Sequence, residues 1–215
     1  RTCEVFQLFF YLNLHYNQIM YEIESKAHVL QRENVIQKLN SFATYGGKSE
    51  KKDIYYRIPS EFSPESYVSV RFRTEVFFSQ DKTEKITYFT YKKKSIQKDK
   101  NSSAIEVNEE HECTISDFSA IETFLKDIGG KISLIKEKIT EHWTYILNNE
   151  EMHIELCNVP PLGDFLEIET IKNQTDDETV KKIKKLQEQI FTKCDISLDQ
   201  IEERFYRDLL AEIKN

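Results

Sequence analysis

The chain has 215 residues, of which 39% are hydrophobic and 31% charged, a composition typical of a globular protein with a strongly hydrated surface. Its net charge of −7 argues against non-specific binding to nucleic acid, so we expect no nucleic-acid partner. No apolar run approaches the ~20 residues that a membrane helix requires, and we expect a cytoplasmic protein without membrane association. The four cysteines have no metal-binding spacing, which favours free thiols in a reducing compartment.

The N-terminal segment differs from the rest of the chain. Residues 1–19 have neither the basic region nor the small-residue cleavage site of a signal peptide. We interpret them as a non-native or disordered upstream extension, with Met20 as the native start. Residues 20–215 are then expected to form a single domain.

Most of the chain after Met20 alternates with the period of two that is typical of β-strands. Strands are predicted at residues 21–29, 52–59, 67–75, 86–94, 104–115, 132–139 with 143–147, 153–157 and 165–169. Apolar residues at helical spacing predict helices near 30–39, 117–128, 176–192 and 197–213. Gly46-Gly47 is interpreted as a turn.

Pairs of like charges, two residues apart, recur on one face of six predicted strands. They are Glu22/Glu24, Arg71/Arg73, Lys92/Lys94, Glu110/Glu112, Lys136/Lys138 and Glu167/Glu169. Because the opposite faces are mostly apolar, the charges either line a wide interior or form the solvated face of an open antiparallel sheet. The alternation alone leaves both structures open. A charged interior would suit a metal-chelated polyphosphate, since carboxylates bind Mg²⁺ or Mn²⁺ and basic side chains bind phosphate.

Several motifs, in this order, resemble the CYTH superfamily of triphosphate tunnel metalloenzymes. They are Glu22-x-Glu24-x-Lys26, Asp53-Ile54-Tyr55-Tyr56, Arg71-Phe72-Arg73, Tyr91-Lys92-x-Lys94, Glu110-x-Glu112, Lys136-x-Lys138 and Leu162-Gly163-Asp164-Phe165-Leu166-Glu167-Ile168-Glu169. The resemblance extends from about Met20 to Leu210, and the tail from Glu203 onward is most similar to bacterial class IV adenylyl cyclases. It implies an α+β fold in which an eight-stranded antiparallel β tunnel, a closed or nearly closed barrel, is flanked by helices.

The same resemblance implies roles for individual residues. Divalent Mg²⁺ or Mn²⁺ would be bound by Glu22, Glu24, Glu167 and Glu169. The substrate triphosphate would be bound by Arg71, Arg73, Lys94, Lys136 and Lys138, with Glu110 and Glu112 in the same tunnel wall. The catalytic residues would be Glu22, Glu24, Lys26 and Lys92.

The chain departs from the superfamily pattern at two of its positions. Cys157 stands where members often carry Asp, and Glu155, two residues earlier, is a candidate replacement. Lys138 stands where members often carry Arg, which keeps the charge but loses the bidentate fork.

The activity that the resemblance implies is that of an adenylyl cyclase, which converts ATP to cyclic AMP and pyrophosphate. A metal-dependent triphosphatase is the alternative, since the same charges would bind the phosphates for either reaction. A non-catalytic polyphosphate or nucleotide binder is a third alternative, which the paired carboxylates argue against. The resemblance also suggests a homodimer.

Overall fold

The computed structural model describes residues 21–63, 65–78, 82–97, 105–173 and 176–213, and within them the side chains of 92–97 and 105–110 are not described. The predicted extension at residues 1–19 lies outside the described residues. The strands are β1 (Tyr21–Val29), β2 (Thr44–Pro59), β3 (Tyr67–Phe78), β4 (Thr83–Gln97), β5 (Ile105–Thr114), β6 (Lys131–Leu147), β7 (Glu150–Val159) and β8 (Gly163–Lys172). The helices are α1 (Arg32–Phe42), α2 (Ser119–Asp127), α3 (Asp177–Lys193) and α4 (Tyr206–Ile213).

All neighbouring strands run antiparallel, in the order β1-β5-β4-β3-β2-β6-β7-β8. Strand β1 also pairs with β8, along its whole length from Tyr21 to Val29. Its pairing with β5 is shorter and ends at Glu24. The predicted α+β class with eight antiparallel strands is therefore confirmed. In the described residues, no helix is both long and apolar enough to cross a membrane.

The apolar face of the sheet is covered by helices. Helix α3 packs on β1 and β8, where Ile23, Ile168 and Ile183 are fully buried in one core cluster. A second cluster joins Phe72 of β3 to Leu125 of α2. The opposite face, called the inner face below, carries the alternating charges.

The turn predicted at Gly46-Gly47 is wrong, because both glycines lie within β2. The register of β2 against β6 shifts between Tyr45 and Gly47, as at a β-bulge. Gly47 has φ 115°, a left-handed conformation that glycine adopts without the steric cost of a side chain. The glycines therefore bend the strand, which continues to Pro59.

The helix predicted over residues 197–213 is wrong in its first half. A short 3₁₀ turn at Leu198–Gln200 leads to Ile201, which forms a β-bridge with Ala27 of β1. The Glu202 N–H then donates to the Lys26 carbonyl at 2.8 Å. Because β5 leaves β1 after Glu24, this part of β1 has backbone groups available to the C-terminal segment.

Candidate functional site

Eight charged residues on the inner face of the described strands are buried. They are Lys26, Lys51, Asp53, Arg71, Glu75, Lys136, Lys138 and Glu167, each at most 8% exposed. A solvated face is therefore wrong for this group of charges. Buried charges are costly unless they are paired, so the pairing within this group decides what the site can bind.

Asp53 is the centre of one set of ion pairs. It lies opposite Arg73 of β3 and Lys136 of β6 in the sheet register, and it is fully buried. Arg73 donates to both carboxylate oxygens, from Nε at 2.7 Å and from Nη2 at 3.0 Å. The Lys136 Nζ lies 3.2 Å from Asp53 Oδ2. Burial acts to raise the pKa of Asp53, but the charges of Arg73 and Lys136 outweigh it and hold the pKa well below its usual range.

A second set, here called the Glu155 cluster, contains Lys51, Lys138, Glu155, Cys157 and Glu167. The Lys138 ammonium donates to Glu155 Oε2 at 2.9 Å and to Glu167 Oε2 at 2.7 Å. Lys51 donates to Glu155 Oε1 at 2.5 Å. Burial acts to raise the pKa of both carboxyl groups, but the lysine charges, chiefly that of Lys138, lower it, so both glutamates are ionised at neutral pH.

The Glu155 cluster has donors that suit a divalent cation. One ligand atom each from Glu155, Cys157 and Glu167 lies within 4.8 Å of the other two. The two carboxylates are already bridged by the ammonium of Lys138, so this position accepts a positive charge. Oxygen donors suit Mg²⁺ or Mn²⁺, whereas the sulfur of Cys157 is a softer ligand. Burial and the charge of Glu167 raise the pKa of the Cys157 thiol, so it is protonated here and would lose its proton on ligating a metal.

A buried serine and histidine adjoin the Glu155 cluster. The Ser49 hydroxyl donates to Glu75 Oε1 at 2.8 Å and lies 2.7 Å from His142 Nε2. The other ring nitrogen of His142 is 3.5 Å from Glu155 Oε1. Burial lowers the pKa of His142 to about 4, so the imidazole is neutral at pH 7. Sequence reasoning did not place these residues at the site, although His142 continues the phase of Lys136 and Lys138.

Tyr206 of α4 reaches the inner face from the C-terminal segment. Its hydroxyl donates to Glu167 Oε1, and its ring packs edge-on against Phe165. The Nζ atoms of Lys26 and Lys136 lie 5.6 Å and 4.8 Å from the centre of the ring, which is cation–π distance. Burial and the nearby Glu167 raise the pKa of Tyr206 well above its usual range. Sequence reasoning missed Tyr206 because the apolar spacing predicts one continuous helix over residues 197–213, with no contact to the strands.

The predicted residues on β3, β4 and β5 also approach one another. Arg71 Nη2 donates to Thr90 Oγ1 at 3.1 Å and to Glu112 Oε2 at 3.3 Å, and Thr90 donates to Glu112 at 2.6 Å. The backbone places Lys92 opposite Glu110 and Lys94 opposite Asn108. The predictions for the side chains of Lys92, Lys94 and Glu110 lie outside the described part of the chain.

The four predicted metal ligands divide between two strands. Glu24 lies opposite Glu169 in the register of β1 and β8, while Glu22 lies opposite Ile171 and Lys26 opposite Glu167. Of these four glutamates, Glu167 belongs to the described group whose ligand atoms lie within 4.8 Å of one another. The structure adds Glu155 and Cys157 to it, and Glu155 is the residue that the sequence suggested as a replacement carboxylate.

Solved structures share this fold. PH1012 protein from Pyrococcus horikoshii OT3 is 26% identical, with a TM-score of 0.60 over 87% of this chain and 98% of that chain. A proposed adenylate cyclase from Vibrio parahaemolyticus is 16% identical, with a TM-score of 0.61 over 89% and 98% of the two chains. HpAC1 from Hippeastrum, a proposed adenylyl cyclase with a dominant triphosphatase activity, is 12% identical, with a TM-score of 0.55 over 91% and 96%.

No protein-family model and no curated protein matches the chain. The solved structures nevertheless show that it has the fold of proteins that include a proposed adenylate cyclase and a triphosphatase. The eight antiparallel strands and the flanking helices agree with the α+β class that the resemblance implied.

Proposed function

We propose that the protein is a metal-dependent enzyme of the CYTH type. It binds a triphosphate in a charged tunnel and hydrolyses the bond between the terminal phosphorus and the bridging oxygen. One observation carries the proposal: basic side chains from β2, β3 and β6 converge with carboxylates from β2, β7 and β8, and each of these side chains is at most 22% exposed. A stable protein core does not need this arrangement, because apolar residues fill the same volume at lower cost. A polyanion carried by a divalent cation needs both signs of charge together.

The basic side chains would bind the phosphates. Arg73 presents a planar fork that matches two phosphate oxygens, while Lys51, Lys136 and Lys138 each present a compact ammonium. Because these groups are shielded from solvent, their attraction for a phosphate is weakened less by water and salt than that of a surface lysine. They would also stabilise the negative charge that develops on the leaving phosphate oxygen.

The carboxylates would hold the metal. Glu155 and Glu167 supply oxygen ligands, Cys157 is within reach of the same position, and Glu22, Glu24 and Glu169 are the further candidates from the sequence. Bound Mg²⁺ or Mn²⁺ would neutralise phosphate charge and lower the pKa of a ligated water or hydroxyl.

Hydrolysis requires a water oxygen to bond to the terminal phosphorus while the bond from that phosphorus to the bridging oxygen breaks. The chain meets this need by orienting the phosphates, so that the attacking and leaving oxygens are in line. No contact with a nucleoside is required. The dominant triphosphatase activity of HpAC1, which shares the fold, supports this choice.

An adenylyl cyclase is the second candidate, as the resemblance to class IV enzymes implies. A group of inner-face aromatic rings favours it: His28 and Tyr206 lie 4.5 Å and 5.0 Å, centroid to centroid, from Phe165. Aromatic rings of this kind can stack on a purine, which a cyclase must hold so that its ribose 3′-oxygen meets the α-phosphorus.

Product analysis separates these functions. Purified protein is incubated with ATP, and separately with tripolyphosphate, in the presence of Mg²⁺ or Mn²⁺. A triphosphatase releases phosphate from both and forms ADP from ATP, whereas a cyclase forms cyclic AMP and pyrophosphate. Binding without turnover would indicate a non-catalytic binder, and absence of both binding and turnover would refute the proposal.

A matched pair of variants ties the activity to the inner face. Lys138→Met removes a buried ammonium of the Glu155 cluster and should abolish most turnover. Lys52→Met removes an ammonium of the same kind that is 53% exposed and paired with Glu137 elsewhere in the sheet. Its turnover should match that of the wild type.

A further inference from the structure

Lysine, arginine and carboxylate side chains of the inner face are paired with one another when no ligand is bound. Lys138 bridges Glu155 and Glu167, Lys51 contacts Glu155 and Glu75, and Arg73 with Lys136 holds Asp53. Basic groups proposed to bind phosphate are thus hydrogen-bonded to carboxylates, and two of those carboxylates are proposed metal ligands. This internal pairing determines which ligand can enter.

We infer that the site accepts the metal–triphosphate complex as one unit, by exchanging its internal ion pairs, and that it binds either component alone only weakly. The inference rests on the proposed function and concerns the ligand of that same site. The Lys138 bridge carries it, because this one ammonium donates to both carboxylates of the candidate metal position.

A metal ion alone would compete with Lys138. Glu155 and Glu167 would have to give up the ammonium of Lys138, a residue that is only 4% exposed, so that water replaces its hydrogen bonds poorly. A buried charge that loses its partner is strongly destabilising. Free divalent metal should therefore bind weakly, although the ligand atoms are close enough to hold it.

A triphosphate alone would compete with the carboxylates for the lysine ammonium groups. If Lys138 and Lys51 turn to phosphate oxygens, the carboxylates of Glu155 and Glu167, which are 22% and 10% exposed, lose their counter-charges and also repel the incoming anion. When metal and triphosphate enter together, each broken ion pair is replaced: the ammonium groups pair with phosphate, and the carboxylates pair with the cation. Neither sign of charge is left buried and unpaired.

The first test measures Mn²⁺ binding by calorimetry without any phosphate. Lys138→Met should bind Mn²⁺ at least ten-fold more tightly than the wild type, because the carboxylates no longer have to release an ammonium. Lys136→Met is the matched control. It also removes one lysine charge from the inner face, but the Lys136 ammonium lies at hydrogen-bond distance from Asp53, and not from Glu155 or Glu167. Equal Mn²⁺ affinities for the two variants would mean a general electrostatic effect and would overturn the inference.

The second test uses a variant that relieves charge repulsion and so is expected to fold. Glu155→Gln should bind tripolyphosphate in EDTA at least five-fold more tightly than the wild type, because Lys51 and Lys138 are then held less firmly. Glu137→Gln, which alters an exposed pair, is the control and should bind as the wild type does. Unchanged affinity in Glu155→Gln would overturn the inference.

The outcomes separate the inference from the proposed function. If the wild type hydrolyses tripolyphosphate with Mn²⁺ but neither variant shows its gain, the exchange of ion pairs is wrong and the enzyme assignment stands. If the wild type neither binds nor hydrolyses tripolyphosphate with Mn²⁺, the proposed function is wrong and the inference falls with it.

Discussion

Asp53→Asn tests how far the fold depends on the ion pairs of its inner face. The substitution keeps the shape of the side chain but removes the charge that Arg73 and Lys136 share. Removing one partner of a buried ion pair costs ~3–5 kcal/mol, because the remaining charges lose their compensation. For a chain of this length, we expect the melting temperature to fall by roughly 10 °C.

The effect should depend on pH in a defined direction. The pKa of Asp53 is lowered in the folded protein, so its charge stabilises the fold above the unfolded pKa and loses that effect as the pH falls toward the folded pKa. At pH 3, below the unfolded value of ~3.9, about 1 kcal/mol of the contribution is lost. The gap in unfolding free energy between wild type and Asp53→Asn should therefore shrink by that amount between pH 7 and pH 3.

Urea unfolding of both proteins at the two pH values measures this gap. Glu137→Gln is the control, because it neutralises a carboxylate 2.8 Å from Lys52 in a pair that is more than half exposed. Its unfolding free energy should change by less than ~0.5 kcal/mol. The reasoning is refuted if Asp53→Asn is as stable as the wild type at pH 7, or if the gap is the same at pH 3.

Three further predictions concern the packing of α3, a basic side chain proposed to bind phosphate, and two carboxylates proposed to bind metal. Gln187→Met should lower the unfolding free energy by roughly 2–4 kcal/mol in urea titrations, since the buried amide donates to backbone carbonyls of β1 and β8; a loss below 1 kcal/mol would contradict this. Arg73→Ala should weaken tripolyphosphate binding by roughly 10- to 100-fold and monophosphate binding less, measured by calorimetry; equal losses would count against the phosphate role. The double variant Glu22→Gln with Glu24→Gln should lose metal-dependent turnover while its melting temperature holds or rises; near-normal turnover would exclude the metal role.

Local patterns in the sequence determined most of the strands and which side chains share a face. The period of two is a property of each strand by itself, so it placed Lys136 and Lys138 on the charged face before any partner strand was known. The same pattern separated Ile168 from Glu167 in β8. A fold with a charged face and an apolar face could therefore be predicted from residues that are near one another in the chain.

The tertiary structure decided which charges meet. Lys51 reaches Glu155 from a strand that is 104 residues away in the chain, and that contact depends on the register of β2, β6 and β7. Register is fixed by interactions between strands, which no single strand encodes. For the same reason the sequence did not place His142 beside Ser49.

In the C-terminal segment, too, tertiary contacts decided a structure that the local sequence did not predict. Its apolar spacing favoured a helix from residue 197, but the free part of β1 beyond Glu24 offers backbone partners that Ile201 and Glu202 take instead. Tertiary hydrogen bonds outweigh a helix propensity of a few tenths of a kcal/mol per residue. That choice of partner carries Tyr206 to the inner face, where its hydroxyl donates to Glu167 and adds a helical residue to a candidate site that the sequence placed on the strands alone.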